Sequence, residues 1–317
     1  RRFSKHAIIR AIDFNHERQR RTTMQNDTPT SANDLSTTMK APIWQCGRYA
    51  LELSRPYVMG VLNMTPDSFS DGGQYLDPQL AIDRAHQMIA EGADIIDIGG
   101  ESTRPNAPKV CTCDELRRIL PAIEALIDCG VPLSIDTQKP YVMREVLSLG
   151  VDIINDINGF NSPVAIDAVA DSNAGLCIMH MQGTPQNMQA DPHYADVVAE
   201  VAQFLGKQVQ RLITAGVARE RLCLDPGFGF GKTLAHNQTL MRHLPQLTGK
   251  HTLPLLVGVS RKRMIGTITG RESAADRVSG SVAAALWALQ HGAHIVRVHD
   301  VAQTVDAIRT WQFFESA

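Results

Sequence analysis

No stretch of this chain is apolar for the ~18–20 residues that cross a bilayer, so the sequence gives no helical membrane span. An excess of one sign of charge is also missing: 31 Lys and Arg face 33 Asp and Glu, a formal net charge of −2. That balance carries no electrostatic footprint for nucleic acid. Cysteine is scarce, with six in 317 residues (Cys46, Cys111, Cys113, Cys129, Cys177 and Cys223), and they fall in different expected elements. Cys111 and Cys113 form a lone C-x-C with no second pair at zinc spacing. Neither a disulfide framework nor a zinc module is indicated, and reduced thiols in a cytoplasmic protein are expected. Nucleotide fingerprints are absent too. Asp225-Pro226-Gly227-Phe228-Gly229-Phe230-Gly231-Lys232 ends in Gly-Lys, but a P-loop needs glycine where Pro226 stands. G-x-G-x-x-G fails as well, because Lys232 and Leu234 occupy the third-glycine positions. The alternating Gly-Phe pattern suggests instead backbone folded close to a flat ligand, with an aromatic presented to it.

What is present is ordinary globular material, 44% hydrophobic and 20% charged, enough for a sizeable core. The first 40 residues stand apart, with eight basic side chains (Arg1, Arg2, Lys5, Arg10, Arg18, Arg20, Arg21, Lys40) against four acidic (Asp13, Glu17, Asp27, Asp34). Thr22 to Lys40 is rich in Thr, Ser, Asn, Asp and Gln, with little to bury, so 1–40 is expected to be a disordered extension. An Arg-rich start would suit a transit peptide, but Asp13 and Glu17 weigh against one. A single domain is expected over 41–317.

Ile43 to Leu53 reads as a small hairpin turning at Cys46-Gly47-Arg48, placed to plug the floor of whatever follows. From Tyr57 a cycle then repeats: a short apolar strand stops at a polar residue, and a helix ends in glycine. Strands are expected at 57–63, 94–99, 132–136, 152–155, 176–180, 222–225, 255–259 and 294–299. Helices are expected from Asp77-Pro78 to Gly92 and at 114–128, 140–149, 164–171, 195–215, 234–247, 274–290 and 301–314. Eight strands and eight helices over 57–314 match the ~250 residues of an α/β fold of the (β/α)8 TIM-barrel type. Strands apolar along their whole length suit a parallel sheet buried on both faces.

In such a barrel the polar strand ends converge on one mouth. They are Asn63, the Gly99–Arg104 loop, Asp136, Asn155, Met179-His180, Asp225, Ser260-Arg261-Lys262 and Arg297-Val298-His299. Two carboxylates, two amides and a cluster of cations call for a ligand with a donor/acceptor edge and an anionic group. Arg297 and His299 are two apart on a strand and share a face. With Lys262 and Arg104 they suit a phosphate or pyrophosphate clamp. For Asp136, which precedes Thr137-Gln138-Lys139-Pro140, helix capping is the competing fate.

These stretches resemble the dihydropteroate synthase family. The resemblance rests on Val61-Leu62-Asn63-Met64-Thr65-Pro66-Asp67-Ser68-Phe69-Ser70-Asp71-Gly72-Gly73, Gly99-Gly100-Glu101-Ser102-Thr103-Arg104-Pro105, Ser134-Ile135-Asp136-Thr137, Asn155-Asp156, Asp225–Lys232, Ser260-Arg261-Lys262 and Arg297-Val298-His299-Asp300, in that order. It implies a transferase of alkyl groups in folate biosynthesis. The reaction would condense p-aminobenzoate with 6-hydroxymethyl-7,8-dihydropterin pyrophosphate, giving 7,8-dihydropteroate and pyrophosphate. It further implies that Asp136, Asn155, Met179, Asp225, Gly258 and Lys262 hold the pterin. Asn63, Arg297 and His299 would hold the pyrophosphate, with Mg²⁺ on Asn63 and phosphate oxygens. Phe69, Thr103, Pro105, Phe230 and Ser260 would form the aminobenzoate pocket, and Asp136, Lys262, Thr103 and Arg104 would carry the reaction. A homodimer and sulfonamide binding are implied by the family alone. Asn106 departs from the glycine usual there, which puts the loop's geometry in doubt. Two other readings are a pterin-binding methyltransferase acting on methyltetrahydrofolate and a corrinoid protein, and a non-catalytic pterin-binding paralogue. The first has no use for a pyrophosphate clamp, and the second should have lost rim residues that are all present here.

Overall fold

The computed structural model describes residues 42–65, 77–104 and 107–316. The expected disordered extension, Phe69 and most of its loop, and Pro105 with Asn106 lie outside the described residues. Two strands, β1 (Ile43–Cys46) and β2 (Tyr49–Glu52), pair antiparallel with Cys46 opposite Tyr49, as the Gly47 turn predicts. Eight further strands form one parallel sheet: β3 (Tyr57–Asn63), β4 (Ile95–Gly99), β5 (Leu133–Asp136), β6 (Ile153–Asp156), β7 (Gly175–Met179), β8 (Leu222–Asp225), β9 (Leu256–Val257) and β10 (Ile295–Val298). Their order is β8-β7-β6-β5-β4-β3-β10-β9. The two ends meet where Leu224 pairs in parallel with Leu255 and its N–H donates to Pro254 O at 2.9 Å. The sheet is therefore closed, and the fold is a (β/α)8 barrel.

Helices α1 (Pro78–Ala90), α2 (Thr112–Leu126), α3 (Pro140–Ser148), α4 (Pro163–Val169) and α5 (Val197–Thr214) follow β3 to β7 in turn. Capping chemistry sets their starts: Asp77 accepts from the Gln79 N–H ahead of Pro78, and Asp196 accepts from the Val198 and Ala199 N–H groups. Where one helix was expected over 234–247, the chain forms α6 (Leu234–Arg242) and a single turn α7 (Leu244–Leu247). Pro245 has no N–H to continue the ladder, so the helix stops and restarts. A helix not anticipated, α8 (Arg263–Thr269), precedes α9 (Val278–Gln290). Its Ile265-Gly266-Thr267-Ile268-Thr269 composition is poor helix former, and packing decides. The last helix, α10 (Val301–Glu315), follows β10 and makes ten α-helices among the described residues.

The hairpin closes the barrel floor, as its sequence suggests. Trp44, Cys46, Leu51 and Leu53 pack against Tyr57, Met59, Ile95, Ile153, Cys177, Cys223, Leu256 and Ile295. Trp44 Nε1 donates to Arg221 O at 2.9 Å, so the indole is buried without an orphaned donor. Those strand residues form an apolar layer. Side chains on a strand alternate faces, so the next inward position is two residues on. It is Asp97 after Ile95, Asn155 after Ile153, Met179 after Cys177, Asp225 after Cys223, Gly258 after Leu256 and Arg297 after Ile295. That two-residue step brings Asp97, Asn155, Asp225 and Arg297 into the interior, while Val61, Met179 and Gly258 keep part of it apolar.

Candidate active site

That polar layer is a connected network. Asp97, fully buried, accepts from Arg297 Nε at 2.6 Å, Ser134 Oγ at 2.5 Å and Asn155 Nδ2 at 3.3 Å. Arg297 Nη2 reaches Asp136 Oδ2 at 2.9 Å. One guanidinium is thus shared by two carboxylates. Burial pushes the Asp136 carboxyl up to about 7, with Asp97 adding to the rise and Arg297 opposing it. Asp136 caps no helix: α3 begins at Pro140 after Lys139, whose side chain makes no capping bond. The capping alternative fails, and Asp136 belongs to the mouth.

Asn155 gives its amide nitrogen to Asp97, and its Oδ1 is buried with no partner in the protein. Asp225 uses Oδ1 to accept the Gly227 N–H at 2.7 Å. Burial raises its carboxyl, and Lys262 opposes the rise. Asn63 and Asp136 flank Gly99: a Cβ built there would lie 3.8 Å from Asn63 Oδ1 and 3.6 Å from Asp136 Cβ. Gly258 lies against the stem of Arg297, within 3.7 Å of its Cβ by the same construction. Met179 packs with Ile157, Met188 and Phe230.

The cations are fewer than the sequence promised. Lys262 donates to Phe228 O at 2.6 Å, and its ammonium lies 4.6 Å from the Phe230 ring centroid. Burial brings it down to about 8, with Asp225 opposing and Arg297 reinforcing the drop. His299 is brought down to about 4 by burial and by Arg297 and Arg261, so it is neutral at neutral pH. The Ser260 hydroxyl lies 3.1 Å from His299 Nδ1 and accepts the His299 backbone N–H at 3.2 Å. Arg261 turns away from the mouth to Asp300 (Nε to Oδ2, 3.0 Å), its backbone held at φ 58° by Ser281 Oγ on its N–H. That left-handed turn aims Lys262 inward.

A further expectation needs correction. His180, counted among the polar strand ends, is buried, and Phe204 packs edge-on to its ring at 5.0 Å. Its Nδ1 lies 2.9 Å from Lys232 Nζ. Lys232 also donates to Gly227 O at 2.9 Å and Phe230 O at 3.0 Å, so this buried lysine braces the Gly-Phe loop from behind. Of that loop's two phenylalanines only Phe230 borders the mouth; Phe228 is fully buried in the core. The rim loop after β4 is anchored at both feet. Glu101 accepts from Lys139 Nζ at 2.6 Å and from the Val110 N–H at 2.9 Å, and Lys139 also pairs with buried Glu115. Thr103 is half-buried and Arg104 exposed on that loop.

Residues 59–299 match the family model of pterin binding enzymes. The chain is 51% identical over 277 residues to the dihydropteroate synthase of Neisseria meningitidis serogroup C, covering 86% of this chain and 98% of that one. The chain belongs to the dihydropteroate synthases. Solved structures of the family superpose on it. The Burkholderia cenocepacia enzyme complexed with 7,8-dihydropteroate matches with a TM-score of 0.81 and 51% identity, over 87% of this chain and 97% of that one. The Xanthomonas albilineans enzyme with 4-aminobenzoic acid matches with a TM-score of 0.82 and 48% identity, over 87% and 99%. As a dihydropteroate synthase the chain is an alkyl-transferring enzyme of folate biosynthesis.

For a dihydropteroate synthase, the described residues expected at the site fall into two groups. Asn63, Asp136, Asn155, Met179, Asp225, Gly258, Phe230, Ser260, Lys262, Arg297 and His299 come together at strand ends and on the loops that follow β8 and β9. Thr103 and Arg104 sit on the loop beside them. Sequence reasoning missed Asp97, Ser134 and Lys232. Asp97 was legible in principle, two residues beyond Ile95 on an inward-facing register. Lys232 carried no local signal, because its partners are carbonyls of its own loop and His180, 52 positions away.

Proposed function

We propose that this mouth condenses p-aminobenzoate with 6-hydroxymethyl-7,8-dihydropterin pyrophosphate by early loss of pyrophosphate and attack of the amine on the resulting pterin cation. The observation that carries the reading is the wall of acceptors, Asn155 Oδ1 unpartnered beside Asp225 and Asp136, facing the ammonium of Lys262. Asn155 and Asp225 accept from the amino-pyrimidine N–H groups, with Met179 and Gly258 completing the pterin pocket. Asp136 stands where positive charge grows as the leaving group departs. Lys262 holds the pterin with its ammonium and contributes its stem to the aminobenzoate pocket. Phe230, Ser260 and Thr103 line that pocket with Phe69 and Pro105, and Arg104 closes over it and excludes water.

Arg297 already spends Nε and Nη2 on carboxylates, so it meets pyrophosphate through Nη1. Neutral His299 donates a hydrogen bond rather than a charge. Asn63 completes that subsite. Among the described residues no three His, Cys, Asp or Glu side chains gather into a metal cage. Mg²⁺ held mainly by phosphate oxygens and water asks for none, so the amide oxygen of Asn63 fits as its protein ligand. When bound, Mg²⁺ supplies neutralisation of the pyrophosphate charge.

Residues 41–317 are read as the catalytic domain of a cytoplasmic homodimer. All six cysteines are free thiols, which suits a reducing compartment. No described helix is long and apolar enough to cross a membrane. An apolar groove between α6, α8 and α9, lined by Met241, Met264, Ile268 and Trp287, supports the dimer; Ile268 is 64% exposed. Sulfonamides are read as competing for the aminobenzoate pocket.

The test is pyrophosphate release from dihydropterin pyrophosphate with Mg²⁺, with and without p-aminobenzoate. Release that requires aminobenzoate and yields dihydropteroate is expected. Pterin binding without turnover would sink the reading in favour of a non-catalytic protein.

A further inference from the structure

Asp97 lies one inward step below the rim, yet three side chains of the polar layer converge on it. Its Oδ1 accepts from Ser134 Oγ at 2.5 Å, and its Oδ2 accepts from Arg297 Nε at 2.6 Å and Asn155 Nδ2 at 3.3 Å. An asparagine amide has a donor end and an acceptor end of nearly the same shape. An ionised carboxylate offers only acceptors, so Asn155 must meet Asp97 with Nδ2. Its Oδ1 is then turned the other way, where it is buried without a protein partner. The same carboxylate holds Arg297 by Nε while Asp136 holds Nη2, which fixes both the plane and the roll of the guanidinium.

We propose that Asp97 is a positioning residue for the alkyl transfer. From beneath the site it dictates which end of the Asn155 amide faces the pterin and in which plane the Arg297 guanidinium lies. This rests on the reading that Asn155 and Arg297 hold the substrate. Without Asp97, Nδ2 of Asn155 loses its partner, and the amide is free to turn its donor end toward the ligand's own N–H groups. Donor then faces donor, and a hydrogen bond becomes two unsatisfied groups.

The substitutions Asp97→Ala and Asp97→Asn separate orientation from bulk structure. An asparagine at 97 can keep its oxygen on Arg297 and Asn155 while its NH₂ donates to Ser134 Oγ, so it preserves the orientation and removes only charge. The readouts are the dissociation constant of dihydropterin pyrophosphate with Mg²⁺ and no aminobenzoate, the KM for p-aminobenzoate, and the melting temperature. Asp97→Ala is expected to weaken pterin binding by about 10–100-fold, the range typical of residues that orient ligating side chains. The aminobenzoate KM should stay within about threefold, since its pocket shares none of these bonds, and Asp97→Asn should recover most of the pterin affinity. In an Asn155→Ala background the Asp97→Ala penalty should shrink, the non-additivity expected of residues in one network.

Should Asp97→Ala fail to fold, Ser134→Ala made in the Asp97→Asn protein serves instead. It removes the bond that orients the new amide, and pterin affinity should fall below that of Asp97→Asn alone. Three results would overturn the proposal: equal losses in pterin and aminobenzoate binding, no recovery in Asp97→Asn, or a penalty undiminished in the Asn155→Ala background. An Asn155→Ala protein that binds pterin like the wild type overturns the reading of the site itself. Weakened Asn155→Ala with normal Asp97→Ala overturns only the positioning role.

Discussion

Asp136 and Lys262 stand four strands apart around the same mouth, and burial displaces both in the direction that removes charge. Asp136 is raised to about 7 and Lys262 is lowered to about 8. Below pH 7 Asp136 carries its proton and cannot stabilise a pterin cation; above pH 8 Lys262 loses its charge and its hold on the ligand. The profile of kcat/KM for the pterin substrate should therefore rise through about 7 and fall through about 8. Asp136→Asn should lower kcat by roughly a hundredfold or more and erase the acidic limb. An unchanged acidic limb in that variant would assign it to another group. The rim residues were legible in the sequence because each ends an apolar strand. Asp97 was less so: its inward register could be counted from Ile95, but it lies inside a strand, and only the paired strands reveal that it meets Arg297 200 positions away. Charge state was also hidden: Arg297-Val298-His299 reads as two cations, and burial makes it one.

At the scale of elements, the loop from Asp225 to Lys232 works because its backbone is folded against β7. Gly227 has φ 67°, and a Cβ there would fall 1.9 Å from His180 O. Gly130 also has positive φ, at 89°, but a Cβ there would meet nothing within 4 Å. Gly130→Ala should thus cost about 1–2 kcal/mol, the left-handed penalty alone. Gly227→Ala should exceed it clearly and also weaken pterin binding, by urea unfolding and titration respectively; equal costs would refute the packing argument. The hairpin makes the opposite case. Trp44 is fully buried at the floor, so Trp44→Ala should cost about 3–5 kcal/mol. KM values measured at permissive temperature should not move, since the floor lies a whole layer below the mouth. The hairpin was visible as alternation around a glycine. Helix α8 was not, since β-branched residues and Gly266 disfavour a helix that forms with Ile265 and Gly266 buried.

For the molecule as a whole, the groove holding Ile268 and Trp287 leaves large apolar side chains in water, 64% and 47% exposed. On the homodimer reading, Ile268→Glu should convert a dimer to a monomer in sedimentation velocity, with the barrel's circular dichroism unchanged. A wild-type monomer at micromolar concentration would remove that surface from consideration. The eight-strand barrel was readable from repetition; the exposed apolar groove was not, because one helix face shows no periodicity that distinguishes buried from exposed apolar residues.

Barrel closure has a consequence in time. Tyr57 pairs with Ile295, so the first barrel strand waits for the last. Asp136 and Arg297 are separated by 161 residues, which a ribosome adding ~5–20 residues per second takes roughly ten to thirty seconds to bridge. Through that interval Asp97 and Asp136 exist on the nascent chain without their common counter-charge, and the sheet has two open edges. The catalytic mouth is consequently among the last features that synthesis can complete. A ribosome stalled before β10 emerges should present a chain that holds helices and exposes sheet edges to chaperones, and retains no pterin.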